Sequence, residues 1–197
     1  MLKKLYNNAF RGIPFSLKKV GRKVKILRPR SIIGGKHITI ESSVFIHRHS
    51  TIFAIEKRGN QRFTPRIFIG SKCYIGVYAM IAAVNEVTIE EYCVLSDYVY
   101  ISDVAHGLDP LAGPIMEQPL ESKGPVRLGK GTFIGYRAAI MPGVSLGCHC
   151  VVGSNSIVTH SFPDYSMLIG SPARCVKVYS VEQKCWKSPN PSSKQIS

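Results

Sequence analysis

The sequence predicts an all-β chain wound into a parallel β-helix, and two observations predict it. Aliphatic residues recur six apart in blocks: Ile40, Ile46, Ile52; Ile69, Ile75, Ile81; Ile89, Leu95, Ile101; Leu128, Ile134, Ile140; and Leu146, Val152, Val158. Small or β-branched residues stand four places after many of them (Val44, Ser50, Cys73, Ala79, Cys93, Val99, Thr132, Ala138, Cys150, Ser156), and glycine follows directly at Gly70, Gly76, Gly129, Gly135, Gly147 and Gly153. A period of six matches neither the 3.6 of an α-helix nor a flat hairpin. It suits a short strand and a tight corner, repeated three times per coil. Coils stacked at the interstrand spacing of ~4.8 Å put each aliphatic residue above its counterpart in a continuous inner column, with the small residues inside the corners.

Taken in chain order, residues 1–30 read as a basic arm or cap, 31–178 as the β-helix, and 179–197 as a C-terminal extension and tail. The arm holds ten Lys or Arg and no acid, so of the formal charge of +14 only +4 belongs to the rest of the chain. Leu2, Leu5, Tyr6, Ala9, Phe10 and Ile13 recur at helical spacing before Pro14, which predicts a short basic amphipathic helix. Such a helix could rest on an anionic membrane surface, or cap the open end of the coil with its lysines solvated. No nucleic-acid motif or aromatic platform accompanies the charge, so nucleic acid is not an expected partner.

Five triplets then build the coil, with an interruption. Between Ile101 and Val126 the six-residue beat stops, in a stretch holding Gly107, Pro110, Gly113, Pro114 and Pro119. A loop near 102–125 is expected to leave the helix here. Loops on a rigid scaffold are where chemistry concentrates, and this one begins Ser102-Asp103-Val104-Ala105-His106-Gly107-Leu108-Asp109-Pro110. The residues after Trp186, Ser188-Pro189-Asn190-Pro191-Ser192-Ser193, read as a disordered tail, and short helical segments are expected at the termini.

No apolar run approaches the roughly 20 residues that cross a bilayer, and no signal-peptide pattern precedes the arm, so a soluble, cytoplasmic chain is expected. The six cysteines are then expected to be thiols, with Cys73, Cys93 and Cys150 packing inside the corners. Cys148-His149-Cys150 looks like a metal fragment, but the register turns Cys150 inward, and no metal is expected. His37, His47, His49 and His149 read as corner or surface residues.

The run from Pro125-Val126-Arg127-Leu128-Gly129 through Phe133-Ile134-Gly135, Ile140-Met141-Pro142-Gly143-Val144, Val152-Gly153-Ser154-Asn155-Ser156-Ile157-Val158-Thr159, Phe162-Pro163 and Gly170-Ser171-Pro172-Ala173-Arg174 resembles the hexapeptide-repeat acyltransferases. The resemblance extends from about Ile32 to Val178. It is greatest to sugar O-acetyltransferases of the maltose/galactoside type and those that decorate bacterial surface polysaccharides. It implies a left-handed coil, acetyl-CoA as donor, and a homotrimer with active sites between subunits.

It also implies that His106, at the head of the loop and followed by Leu108-Asp109-Pro110, is the general base. A histidine suits that task, because its ordinary pKa of about 6.5 lies near neutrality. Asp103 and Asp109 could orient the imidazole or could be turn residues, and Met116, Glu117 and Glu121 could touch the acceptor. By position, the donor would meet the backbone at Tyr136 and Ser154, Phe133 where the family usually has tryptophan, and Thr159, His160, Arg174 and Lys177 near its phosphates. His160 replaces the family's usual lysine, and Ser154-Asn155 its usual Ala-Gly pair. The expected activity is acetyl transfer to a sugar hydroxyl in surface-polysaccharide or glycolipid assembly. Alternatives are N-acetylation of a nucleotide-linked amino sugar, an antibiotic acetyltransferase, and a non-catalytic β-helical binding module. The metal-binding histidine pattern of the related gamma-class carbonic anhydrases is not matched after His106.

Overall fold

The computed structural model describes residues 16–189, whose strands fall mainly on three parallel faces of a left-handed β-helix. Face 1 carries Lys19–Val20, Ile38–Ile40, Arg66–Ile69, Glu86–Ile89, Val126–Leu128 and Ser145–Leu146. Face 2 carries Lys25–Ile26, Phe45–Ile46, Tyr74–Ile75, Val94–Leu95, Phe133–Ile134, Val151–Val152 and Ser166–Gly170. Face 3 carries Ser31–Ile33, Thr51–Ala54, Met80–Ala83, Tyr100–Ser102, Ala139–Ile140 and Ile157–Val158. Six coils therefore stack, with a seventh begun by Phe162 against Leu146 and by Ser166–Gly170.

The hexad residues form the core. Ile40, Ile69, Ile89, Leu128 and Leu146 stack behind face 1, Ile46, Ile75, Leu95, Ile134 and Val152 behind face 2, and Ile52, Ile81, Ile101, Ile140 and Val158 behind face 3, all fully buried. Cys73, Cys93, Thr132 and Cys150 occupy one inner corner column, where burial keeps their side chains from solvent.

The glycines after the hexad residues are required by close approach. A Cβ on Gly76 would lie 2.6 Å from the carbonyl carbon of Ser96, and one on Gly135 would lie 2.7 Å from the nitrogen of Ser154, both main-chain atoms of the next coil. The left-handed backbone falls two residues later, on Tyr78 and Arg137. There each N–H donates to a carbonyl of the previous coil, Tyr78 to Arg48 at 3.3 Å and Arg137 to Asp97 at 3.0 Å, which offsets a conformation costing about 1–2 kcal/mol.

The coil begins earlier than the five triplets indicate. Lys19–Val20 pairs with Ile40's strand, Lys25–Ile26 with Phe45–Ile46, and Ser31–Ile33 with Thr51–Ala54. Val20, Ile26 and Ile32 are themselves six apart, so residues 18–30 are part of the first coil, with their basic side chains distributed over its outside. The predicted helix over residues 2–13 lies outside the described residues, as does the expected tail from residue 190.

At the other end the expected short helical segment is replaced by strands. Ser166–Gly170 continues face 2, Ala173–Ser180 turns back antiparallel to it, and Cys185–Lys187 adds a further antiparallel strand. The exposed edge of face 2 offers unpaired main-chain groups that a strand satisfies and a helix does not. Among the described residues the only helical turn is the 3-10 segment Gly35–His37.

Candidate active site

Two excursions leave the edge between faces 3 and 1. The first spans residues 55–65 and folds as the hairpin Lys57–Arg58 with Gln61–Arg62. The second spans residues 103–125, two coils further on, and begins and ends in the antiparallel ribbon Ala105–His106 with Leu120–Glu121. The second carries every acceptor-side residue singled out in the sequence, and the two touch.

His106 is half-buried and lies opposite Leu120 in the ribbon. Its Nδ1 is buried, with no hydrogen-bond partner among the described residues. Asp103 does not supply one. That carboxylate is buried and accepts three main-chain N–H groups at the edge of the coil below: Val84 at 2.8 Å, Asn85 at 2.9 Å and Glu86 at 2.6 Å. Burial pushes the Asp103 carboxyl above its ordinary value, while those N–H groups draw it back. Asp109 is a turn residue, its exposed carboxylate accepting the N–H of Leu111 at 2.8 Å. The orienting role open to either aspartate in the sequence is thus made by neither.

Met116, Glu117 and Glu121 are exposed on the same excursion, with Glu121 opposite Ala105. Two glutamines absent from the sequence reading hold it in shape. Gln118 is buried; its Oε1 accepts the Asp109 N–H at 3.1 Å, while its Nε2 donates to the carbonyls of Asp109 at 2.8 Å and Gly113 at 2.9 Å. Gln61, from the first hairpin, donates through Nε2 to the Leu120 carbonyl at 3.0 Å and accepts the Leu120 N–H at 2.7 Å. Arg58 beside it donates to the Met116 carbonyl at 3.1 Å. The available signal for this hairpin is the step of 17 residues from Ile52 to Ile69, where the repeat pauses as it does before Val126.

The residues expected at the donor lie elsewhere on the prism. Tyr136 and Ser154 occupy successive corners between faces 2 and 3, where the Tyr136 carbonyl accepts the Asn155 N–H at 2.8 Å. Tyr136 is T-shaped against Tyr98, and the Arg137 guanidinium sits over both rings. Phe133 projects from face 2, 40% exposed. Thr159 and His160 follow face 3 in the sixth coil, on the His106 edge, their Oγ1 and Nδ1 2.9 Å apart. Arg174 and Lys177 are exposed on the antiparallel strand beyond face 2, and neither pairs with a carboxylate among the described residues. Within one chain, then, His106 and the Tyr136–Ser154 corners are separated by the width of face 3.

No group of three or more His, Cys, Asp or Glu able to hold a metal occurs among the described residues. Cys150 is buried, donating to the Pro163 carbonyl at 3.2 Å, while His149 sits exposed at its corner, stacked on Tyr165. His49 likewise stacks on Tyr78 at a corner. His37 Nε2 lies 3.1 Å from Glu56, which Lys36 and His37 together hold below the usual carboxylate range at the root of the first hairpin.

Residues 125–160 match the hexapeptide repeat of succinyl-transferase. Over 134 residues, 68% of its length, the chain is 34% identical to a protein of Mycobacterium tuberculosis assigned as an acetyltransferase, of which the match covers 42%. Over 128 residues, 61% of its length, it is 32% identical to WbbJ of Escherichia coli, assigned to lipopolysaccharide biosynthesis as an O-acetyl transferase, with 65% of that protein covered. The chain thus spans less than two thirds of either relative. In structure it superposes on the N-acyltransferase AntD from Bacillus cereus, solved with dTDP and 3-hydroxybutyryl-CoA, with a TM-score of 0.71 at 23% identity, covering 93% of this chain and 90% of that one.

Proposed function

The chain belongs to the hexapeptide-repeat acyltransferases, and from that membership we propose that it transfers an acetyl group from acetyl-CoA to a sugar hydroxyl in surface-polysaccharide or glycolipid assembly. The observation that carries the reading is His106, held half-buried on a braced ribbon outside a rigid coil. The 32% identity to WbbJ, a protein assigned to lipopolysaccharide biosynthesis as an O-acetyl transferase, supports the acceptor class.

In this mechanism His106 takes the proton of the acceptor hydroxyl as its oxygen attacks the thioester carbonyl. A main-chain N–H holds the oxyanion, and collapse expels the CoA thiolate, which receives the proton from the imidazolium. No acyl-enzyme forms. Phe133, Tyr136 and Ser154 would line the pantetheine arm, and Thr159, His160, Arg174 and Lys177 would meet the nucleotide phosphates. Arg174 and Lys177, exposed and without a carboxylate partner among the described residues, fit a polyanionic donor. Because His106 and the Tyr136–Ser154 corners stand on different edges, the reading requires a homotrimer in which each site draws on two subunits.

The test is CoA release from acetyl-CoA across sugars, nucleotide sugars and acidic oligosaccharides, with His106→Ala alongside. Acceptor-dependent release lost in the variant supports the mechanism; equal turnover by the variant overturns it. A second reading, N-acetylation of a nucleotide-linked amino sugar, draws support from the similarity in fold to AntD, an N-acyltransferase solved with dTDP. Mild alkali separates the two, since it cleaves an ester product and spares an amide. The basic first coil and the residues before it would hold the enzyme, on the cytoplasmic side, near anionic lipid or a lipid-linked acceptor.

A further inference from the structure

We propose that Gln61 is a positioning residue for His106, so that the 55–65 hairpin sets the geometry of the base from 59 residues upstream of the strand it grips. The inference rests on His106 being the base, and it begins from the hydrogen bonds of the ribbon. Gly107 donates to the Pro119 carbonyl at 2.8 Å, which leaves His106 and Leu120 as a facing pair whose main chains do not bond one another. In antiparallel ribbons such pairs bring their side chains closest together.

The main-chain groups of Leu120 must therefore find partners on the other side, and both find Gln61. Its side-chain amide offers one donor and one acceptor in the spacing of a peptide group, so it stands in for a neighbouring strand. Leu120 is buried, so water does not readily replace these bonds, and a main-chain group left without its partner there is destabilising. Gln118 fixes the far part of the excursion to Asp109 and Gly113, but its bonds are internal to the loop. Gln61 and Arg58 tie the loop to a different part of the coil, and of the two only Gln61 grips the strand facing the base. The His106 ribbon is accordingly a fixed wall of the site, with its height set by the hairpin two coils away.

The experiment compares the full chain with Gln61→Ala, Gln61→Glu and His106→Ala. Hydrogen exchange is read in peptides covering 103–123 and, as an internal reference, 126–146. The rate of His106 modification by diethyl pyrocarbonate is read against exposed His149. Gln61→Ala is expected to speed exchange in 103–123 by about tenfold, leave 126–146 unchanged, and raise His106 modification several-fold relative to His149. With the acceptor that supports turnover, kcat should fall about tenfold while KM for acetyl-CoA stays within about twofold. Gln61→Glu keeps the acceptor for the Leu120 N–H and loses the donor to its carbonyl, so it should fall between. Unchanged exchange in 103–123, or an equal rise in 126–146, overturns the clamp. Faster exchange with unaltered kcat, while His106→Ala is inactive, overturns the positioning role. Full turnover by His106→Ala overturns the base assignment instead, and the exchange data then judge the clamp alone.

Discussion

The Asp103 carboxylate receives the main-chain N–H of Val84 at 2.8 Å, together with those of Asn85 and Glu86. An acid three residues before the candidate base is thereby committed to holding the corner of the coil beneath. Asp103→Ala should leave three N–H groups without that acceptor and destabilise the fold by about 2–4 kcal/mol, read as a lower midpoint in urea unfolding. Asp103→Asn should cost less, because one amide oxygen remains. Under moderate conditions where both variants are folded, the pH dependence of turnover should match the wild type; a displaced profile would return Asp103 to the role of orienting His106.

Cys150 supplies a pH signature of folding. Burial pushes its thiol up to about 11, against about 8.5 for a free thiol. A raised native value favours the protonated form in the folded state, so this contribution to stability is complete below about pH 8.5 and declines as pH rises towards 11. Cys150→Ser keeps a donor for the Pro163 carbonyl and should flatten the alkaline limb of the unfolding midpoint between pH 8.5 and 10.5. In the native protein at pH 8 a thiol reagent should label exposed Cys185 first, with Cys73, Cys93 and Cys150 labelled only after unfolding.

The coil was legible because its core is written in one-dimensional spacing. Each hexad residue from Ile40 to Val158 is buried where the period puts it, and each small residue from Val44 to Ser156 fills an inner corner. The first coil carries the same signal in Val20, Ile26 and Ile32, but seven basic residues between and around them mask it in a reading that weighs charge by segment. The site was legible only in part. His106 announces itself by interrupting the beat, whereas Gln61 acts through a contact 59 residues away in sequence, which no local pattern encodes. Asp103 was ambiguous for the same reason, since its partners lie one coil earlier.

On the proposed reading of a homotrimer with His106 as base and Tyr136 and Ser154 at the donor, the separation of these residues by a whole face predicts complementation. His106→Ala removes the base and leaves the donor corners intact; Ser154→Trp fills the exposed corner and leaves the base intact. Each homogeneous protein should be inactive. Randomly mixed at equal amounts into one trimer population, the two should recover about a quarter of wild-type sites, because each site needs an intact face from two different subunits. No recovery, with mixing verified by mass, would place base and donor in the same chain.

The earlier start of the coil changes how contact with a membrane must be tested. Lys18, Lys19, Arg22, Lys23, Lys25, Arg28 and Arg30 belong to a coil whose strands pair with Ile38–Ile40, Phe45–Ile46 and Thr51–Ala54. Deleting residues 1–30 would uncover the end of the Ile40, Ile46 and Ile52 columns and should lower stability by several kcal/mol, as large losses of buried apolar surface do. Deleting residues 1–15 leaves every described strand pair in place. Co-sedimentation with phosphatidylserine vesicles at low salt then separates two sources of attraction. Binding lost with residues 1–15 assigns it to the segment containing Lys3, Lys4 and Arg11; binding kept by that deletion, but lost on replacing Lys19, Lys23 and Lys25 by glutamine, assigns it to the outside of the first coil. In either case binding should weaken steeply between about 50 and about 300 mM salt, as the screening length shortens from roughly 14 Å to roughly 6 Å. Equal sedimentation of all three proteins at every salt concentration would remove the basic end from membrane recognition altogether.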